Sequence, residues 1–275
     1  MFDSRHLFRN LASAASIFVF LAPVGRLAAQ SSPGDELNKG VEAYRAARYP
    51  DAIAHFQKAT DLDPSSHLAK TYLGTALAQS VIPGLDTPEN LKTAQYSIAV
   101  FQQALEQEPH DVNAMQQVAG VYFAVKDLDN AKVWQKKVLN EDPRDPEAAY
   151  TVGVIDWTLA HLNALRAFAP LGIQDDGMGN SKAPAEVLET LRIQNGPLVE
   201  EALEYLQQAI ENRPNYDDAM AYMNLVYRRK ADVDFADEAA RKDDVDNAEK
   251  WRRKSMEARK ANEEKKLTGS DSAQP

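Results

Sequence analysis

Four stretches of this chain end alike, and that repetition constrains the fold more than any other feature. AIAHFQKATDLDP, SIAVFQQALEQEP, AKVWQKKVLNEDP and ALEYLQQAIENRP close at Pro64, Pro109, Pro143 and Pro214. In each, a small residue is followed four and seven places on by further packing residues and twelve places on by proline. The sets are Ala52/Phe56/Ala59/Pro64, Ser97/Phe101/Ala104/Pro109, Ala131/Gln135/Val138/Pro143 and Ala202/Leu206/Ala209/Pro214. Offsets of four and seven share one face of a helix, and proline cannot continue it. A second signature precedes each ending: Gly40, Leu73-Gly74, Val118-Ala119 and Val152-Gly153, with a last copy at Met223-Asn224. The intervals are 34, 45, 34 and 71 residues. A small residue there lets two helices cross closely, and a bulky one would cost on the order of 1–3 kcal/mol by overpacking.

A 34-residue unit built this way resembles the tetratricopeptide (TPR) family, whose pattern of Leu-Gly, Tyr, Ala, Phe and Pro these copies follow. The unit from Val112 to Asp145 is the cleanest, with Val118, Ala119, Tyr122, Leu128, Ala131 and Pro143 all in place. The resemblance implies an all-α, right-handed superhelical solenoid of about five hairpins. The expected repeats are 34–66, 67–111, 112–145, 146–216 and 217–260. Each hairpin is amphipathic and buries its apolar stripe only by stacking on its neighbours. The fifth copy is degenerate: Met223, Asn224 and Tyr227 fit, and Ala248, Trp251 and Ser255 resume helical spacing after an acidic insertion.

Repeats two and four carry insertions as well. Around SVIPGLDTPENLK, Pro83-Gly84 predicts a turn and Thr87-Pro88 a helix start, with that helix running to about Gln107. The larger insertion, Thr158 to Gln194, extends the first helix through Leu165 and Phe168 to Pro170. Gly172, Gly177, Gly179 and Asn180 then predict a flexible loop. A short amphipathic helix over about Pro184–Gln194 follows, with Val187, Leu188 and Leu191 on one side. Asn195-Gly196-Pro197 is expected to end that helix and begin the next. The Pro-Gly…Thr-Pro-Glu-Asn and Asn-Gly-Pro-Leu segments resemble exported bacterial members of the family, a likeness that brings no activity with it.

The N-terminus reads independently of the repeats. Arg5, His6 and Arg9 form a basic front, Leu11 to Val24 is uncharged and mostly apolar, and Leu27-Ala28-Ala29 is a small-residue exit. That order predicts a secretory signal peptide over 1–29, cut near Ala29, with 30–33 as linker. The apolar run is short of the ~20 residues of a comfortable span, and an uncleaved anchor is the alternative. The expected destination is the periplasm or beyond, with membrane contact only if the signal stays in place. Among the 275 residues, 41 acids against 31 bases give a net charge of -10. That balance argues against nucleic acid and against anionic lipid. The chain has no cysteine, so it carries neither disulfide nor thiolate chemistry nor a lipid-acceptor Cys.

By resemblance, the concave face is lined by first-helix residues: Leu37, Val41, Tyr44 and Arg45; Thr71, Thr75 and Gln79; Asn113, Gln116 and Phe123; Tyr150, Val154 and Trp157; Asp218, Leu225, Arg228 and Arg229. Such a mixed polar and aromatic face suits an extended or helical peptide. Tyr150, Trp157, Arg228 and Arg229 are the leading anchors, because Tyr, Trp and Arg dominate interface energetics. Tyr44, Arg45, Gln116 and Phe123 complete the candidate site. Chaperone-binding relatives capture a C-terminal carboxylate with paired Lys and Asn. The matching positions here hold Leu37/Val41, Thr71/Thr75, Gln116/Gly120, Tyr150/Val154 and Ala221/Leu225, so no repeat carries that clamp.

No cofactor is expected. His6, His55, His67, His110 and His161 lack metal-ligand spacing. Asp243-Asp244-Val245-Asp246 lacks the Gly and the final Glu of a calcium loop. Nucleophile-elbow and phosphate-loop motifs are absent. The reading is a non-catalytic scaffold for a peptide or protein, with an enzyme or small-ligand binder roofed by 158–194 as the alternative. Asp232 to Glu249 carries eight acids and two bases, and Lys250 to Leu267 eight bases and three acids. This predicts a solvated capping helix laced with ion pairs, and 261–275 a charged, disordered tail.

Overall fold

The structure, a computed structural model, describes residues 31–268. The expected signal peptide and the end of the expected tail lie outside the described residues. Among those residues there are ten α-helices and no strand: α1 Pro33–Arg45, α2 Tyr49–Leu62, α3 His67–Ser80, α4 Pro88–Leu105, α5 Val112–Ala124, α6 Leu128–Glu141, α7 Pro146–Phe168, α8 Ala185–Asn212, α9 Asp217–Val233 and α10 Glu238–Leu267. Consecutive helices pair as α1/α2, α3/α4, α5/α6, α7/α8 and α9/α10, and each pair packs on the next. This is the all-α solenoid that the repeat predicts.

Local chemistry starts and stops the helices where the sequence places those signals. The Ser32 hydroxyl accepts from the Asp35 N–H at 3.1 Å while the Asp35 carboxylate accepts from the Ser32 N–H at 3.1 Å. That reciprocal box satisfies two of the otherwise orphaned donors of a helix start. Thr87, Asp111, Asp127 and Asp145 cap α4 to α7 through their side chains, and Pro88 and Pro146 occupy the first turns. Pro64, Pro109, Pro143 and Pro214 stand just beyond α2, α4, α6 and α8. One boundary shifts: α4 closes at Leu105 with Glu106 as its cap, two residues short of Gln107.

Packing within the hairpins joins the two sequence signatures to each other. A Cβ added at Gly153 would meet Leu206 Cγ at 2.5 Å, and one at Gly74 would meet the Phe101 ring at 2.9 Å. At Gly40 the added atom would strike Phe56. In these three hairpins the small residue of the first helix thus receives the large residue of its own second helix, even where an insertion separates the two by 53 positions (206 − 153). Phe56, Phe101 and Leu206 are fully buried.

The second insertion departs most from expectation. Asn195-Gly196-Pro197 does not break the chain: α8 runs unbroken from Ala185 to Asn212 with Pro197 inside it. Interior proline forfeits a hydrogen bond and costs ~3 kcal/mol. Here packing outweighs that cost. Leu188, Leu191, Asn195, Val199, Ala202, Leu206 and Ala209 are all buried, and their three- and four-residue spacing passes through the proline without a change of phase. Asn195 is held in place by donating Nδ2 to the Ala160 carbonyl (3.0 Å) and accepting from Asn163 Nδ2 (2.9 Å). The protruding ends of α7 and α8 close a small core of their own around Ala164, Phe168, Ala183, Leu188 and Leu191.

One more expectation is corrected. Residues 261–267, assigned to a disordered tail, continue α10, where Asn262 Nδ2 donates to Asp217 and to the Asn215 carbonyl (3.0 Å each). The Asp243–Asp246 run is helical, and Asp244 is buried against Lys230 at 3.1 Å.

Candidate binding face on the first helices

The structure sorts the expected anchors into three groups. The first, on α7 and α9, forms a continuous aromatic cluster. Tyr150 meets Tyr216 at 5.0 Å between ring centres and Tyr222 edge-on at 5.6 Å. Trp157 meets Tyr222 edge-on at 5.3 Å and stacks on His161 at 5.0 Å. Tyr150, Trp157 and Tyr222 are half-buried along the margin of the main core. Edge-to-face pairs of this kind add about 0.5–1.5 kcal/mol each beyond the area they bury. Burial, reinforced by Tyr222, Asp218 and Glu147, raises the Tyr150 hydroxyl above its ordinary range. The Tyr222 hydroxyl is raised by burial and then by Asp218. Tyr216 donates to Glu147 at 2.5 Å, and Arg213 pairs with the same carboxylate. These phenols are therefore neutral donors set around an apolar surface.

The second group lies nearer the N-terminus. Tyr44 packs edge-on with Tyr49 at 5.5 Å and Arg45 is exposed. Phe123 is 41% exposed. Gln116 donates Nε2 to Asp145 Oδ2 at 2.7 Å, bridging α5 to the cap of α7. Thr71 and Thr75 turn their hydroxyls onto carbonyls of their own helix.

The third group corrects the prediction. Arg229 is 3% exposed and pairs with Asp175 at 2.6 Å and Asp232 at 2.8 Å. A partner cannot reach it. Arg228 is half-buried and committed, donating to Glu249 at 2.5 Å, Asn224 at 3.1 Å and the Gly177 carbonyl at 3.2 Å. Both arginines bind the insertion to α9. The physical reason is that the insertion folds back onto α9, which a first-helix register alone does not reveal. The loop expected to be flexible is correspondingly anchored. Asn180, buried at φ 47, donates Nδ2 to Asp232 at 2.7 Å and Asp175 at 3.1 Å, and its side-chain Oδ1 accepts from the Asp176 N–H.

The 158–194 insertion does border a cleft of about 560 Å³, lined by Gly172 to Asp176, Asn180 and Lys182. Its acids are engaged in holding the loop. Burial pushes Asp175 up, but the Arg229 charge with the Asn180 and Gly177 bonds outweighs it, and the carboxyl ends below its ordinary value. Asp176 accepts from the Met178 and Asn180 N–H groups. Among the described residues no group of three or more His, Asp or Glu side chains is placed to hold a metal.

Sequence reasoning missed Tyr216 and Tyr222. The signal was the 71-residue interval: once α8 is folded out, Tyr150 on α7 faces the start of α9 directly.

A second polar cluster sits between α6, α7 and α8. Lys132 Nζ donates to the fully buried Asp156 at 2.6 Å and to Glu201 at 2.9 Å, and Lys136 pairs with Glu201. Burial pushes Asp156 up to about 7 against the pull of Lys132. Burial likewise acts to raise Glu201, but its two lysines prevail and take it down to about 2.

Hairpins of this geometry, stacked through a small-to-large contact and stopped by proline, define the tetratricopeptide-repeat fold, and the described residues adopt it. A family model described as tetratricopeptide repeat matches residues 37–81. Over 113 residues the chain is 26% identical to Hsp70-Hsp90 organizing protein 2 of Arabidopsis thaliana. The matched stretch is 41% of this chain and only 18% of that relative's length. Among solved structures, MamA of Desulfovibrio magneticus RS-1 superposes with a TM-score of 0.55 at 16% identity, covering 84% of this chain and 97% of that one. YrrB, described as a TPR protein with an unusual peptide-binding site, superposes with a TM-score of 0.50 at 15% identity, covering 83% and 91%.

Proposed function

We propose that this chain is a scaffold that binds a peptide or protein across its first helices, with Trp157, Tyr150 and Tyr222 as the anchors. The observation that carries this reading is the half-buried aromatic cluster where α7 and α9 meet. It offers rigid rings with polar tips, the side chains that concentrate binding energy at interfaces. Phe123, Tyr44 and Arg45 extend the face toward the N-terminus. Two relatives are named for such work, one as an organiser of Hsp70 and Hsp90 and the other for its peptide-binding site.

The proposal includes export to the periplasm or beyond, with 1–29 removed, a role in cell-envelope assembly or complex formation, and no turnover. Affinity capture from the native envelope fraction tests the site. Wild type is expected to retain a partner that a folded Trp157→Ala/Tyr222→Ala variant loses. Recovery of the same proteins by both forms contradicts the assignment. Mass spectrometry of the N-terminus checks export, since an intact Met1 in envelope material favours the anchored form. A turnover that disappears on Asp176→Asn would replace the scaffold with the small-ligand alternative.

A further inference from the structure

A second site lies between the second helices of the first two hairpins, apart from the aromatic face. A cleft of about 750 Å³ opens between α2 and α4 over the floor that α3 supplies. That volume is in the range of small-molecule sites. Lys70 of α3 is 8% exposed and borders this cleft. Among the described residues its side chain has neither a hydrogen bond nor an ion pair, and its Nζ is not sealed from solvent. A lysine this enclosed ordinarily comes with a carboxylate, because a buried charge without a partner is costly.

The acids near Lys70 sit at the edge of the cleft. Asp61 and Glu106 are exposed lining residues at the ends of α2 and α4, and neither comes within ion-pair distance of Lys70. Tyr96 donates to Gln57 across the two helices, and Gln57 donates in turn to Asp61 at 2.8 Å. That chain holds the walls and orients the Asp61 carboxylate. The arrangement is dipolar, with one cation at the floor and two anions at the rim. A dianion such as phosphate would meet repulsion at the rim, and a bare cation would meet it at the floor.

We propose that this cleft binds a small zwitterion of the amino-acid class, its carboxylate on Lys70 and its cationic end toward Asp61 and Glu106. Titration with L-arginine, followed by the methyl NMR signals of Leu73 and Val100 in the cleft wall, tests it. Three contrasts accompany the titration: agmatine, which is arginine without its carboxylate; inorganic phosphate; and Lys70→Met, which keeps the stem and removes the charge. Arginine at millimolar concentration is expected to shift both residues' methyl signals. Agmatine, phosphate and the Lys70→Met variant should each show binding weaker by about tenfold or more, the size of one charge-assisted hydrogen bond. Lys70→Gln serves as a second variant, and the arginine–agmatine contrast on wild type decides even if neither variant folds. Agmatine or phosphate binding as tightly as arginine, a folded Lys70 variant with unchanged affinity, or no arginine-dependent shift overturns the proposal.

Discussion

At the scale of single residues, the glycines divide into those that carry the fold and those that do not. Gly153 has Leu206 pressed against it, whereas an added Cβ at Gly120 meets nothing within 4 Å. Gly153→Val should therefore destabilise the protein by about 1–3 kcal/mol through overpacking. Gly120→Ala, in the middle of α5, should stabilise it by about 0.5–1 kcal/mol. Urea titration of the two variants checks the pair, and equal effects would contradict the small-to-large account of the hairpin. Buried carboxylates give a second residue-scale prediction. Asp156 is raised to about 7, and Asp232 and Asp244 to about 6, in each case chiefly by burial. A carboxyl raised in the folded state keeps its proton where the unfolded chain has lost it. Its contribution is fully present below the unfolded value and disappears as pH rises through the folded one. Glu201, Glu147 and Asp175 are lowered and work in the opposite sense, losing their contribution only as pH falls below the ordinary carboxylate range. Thermal stability should accordingly peak near pH 5 and decline toward pH 8. Asp156→Asn should flatten that decline, and a melting temperature that rises from pH 5 to 8 would contradict the assignment.

At the scale of elements, the repeat was legible because each feature rests on local chemistry. Caps at Thr87 and Asp145, stops at Pro64 and Pro143, and the Gly74–Phe101 contact all follow from residue type and spacing. The continuity of α8 was not legible, because Asn-Gly-Pro is locally a breaker and only the long face of α7 overrides it. Nor was the commitment of Arg228 and Arg229, which depends on an insertion returning to α9 from about 50 residues away (228 − 177 = 51). The helix through Pro197 makes its own prediction. If packing sustains α8 despite the proline, Pro197→Ala should restore the missing N–H and stabilise the protein, by about 1–3 kcal/mol after allowing for the freer unfolded chain. Chemical denaturation measures this directly. A loss of stability would contradict the claim that α8 persists in spite of the proline.

At the scale of the whole molecule, the cleft between α2 and α4 and the face on α7 and α9 belong to different hairpins and different helices of the repeat. Far-UV circular dichroism of the intact protein should report helix without appreciable strand. The central claim is that the first-helix aromatic face is where the partner binds. Its most direct measurement is calorimetric titration of the captured partner against wild type, Trp157→Ala, and Val133→Ala at an exposed position of α6. Trp157→Ala should weaken binding by about 1–3 kcal/mol while the fold is retained, and Val133→Ala should leave it unchanged. Equal affinity for wild type and a folded Trp157→Ala variant, or a greater loss from Val133→Ala, would contradict the account.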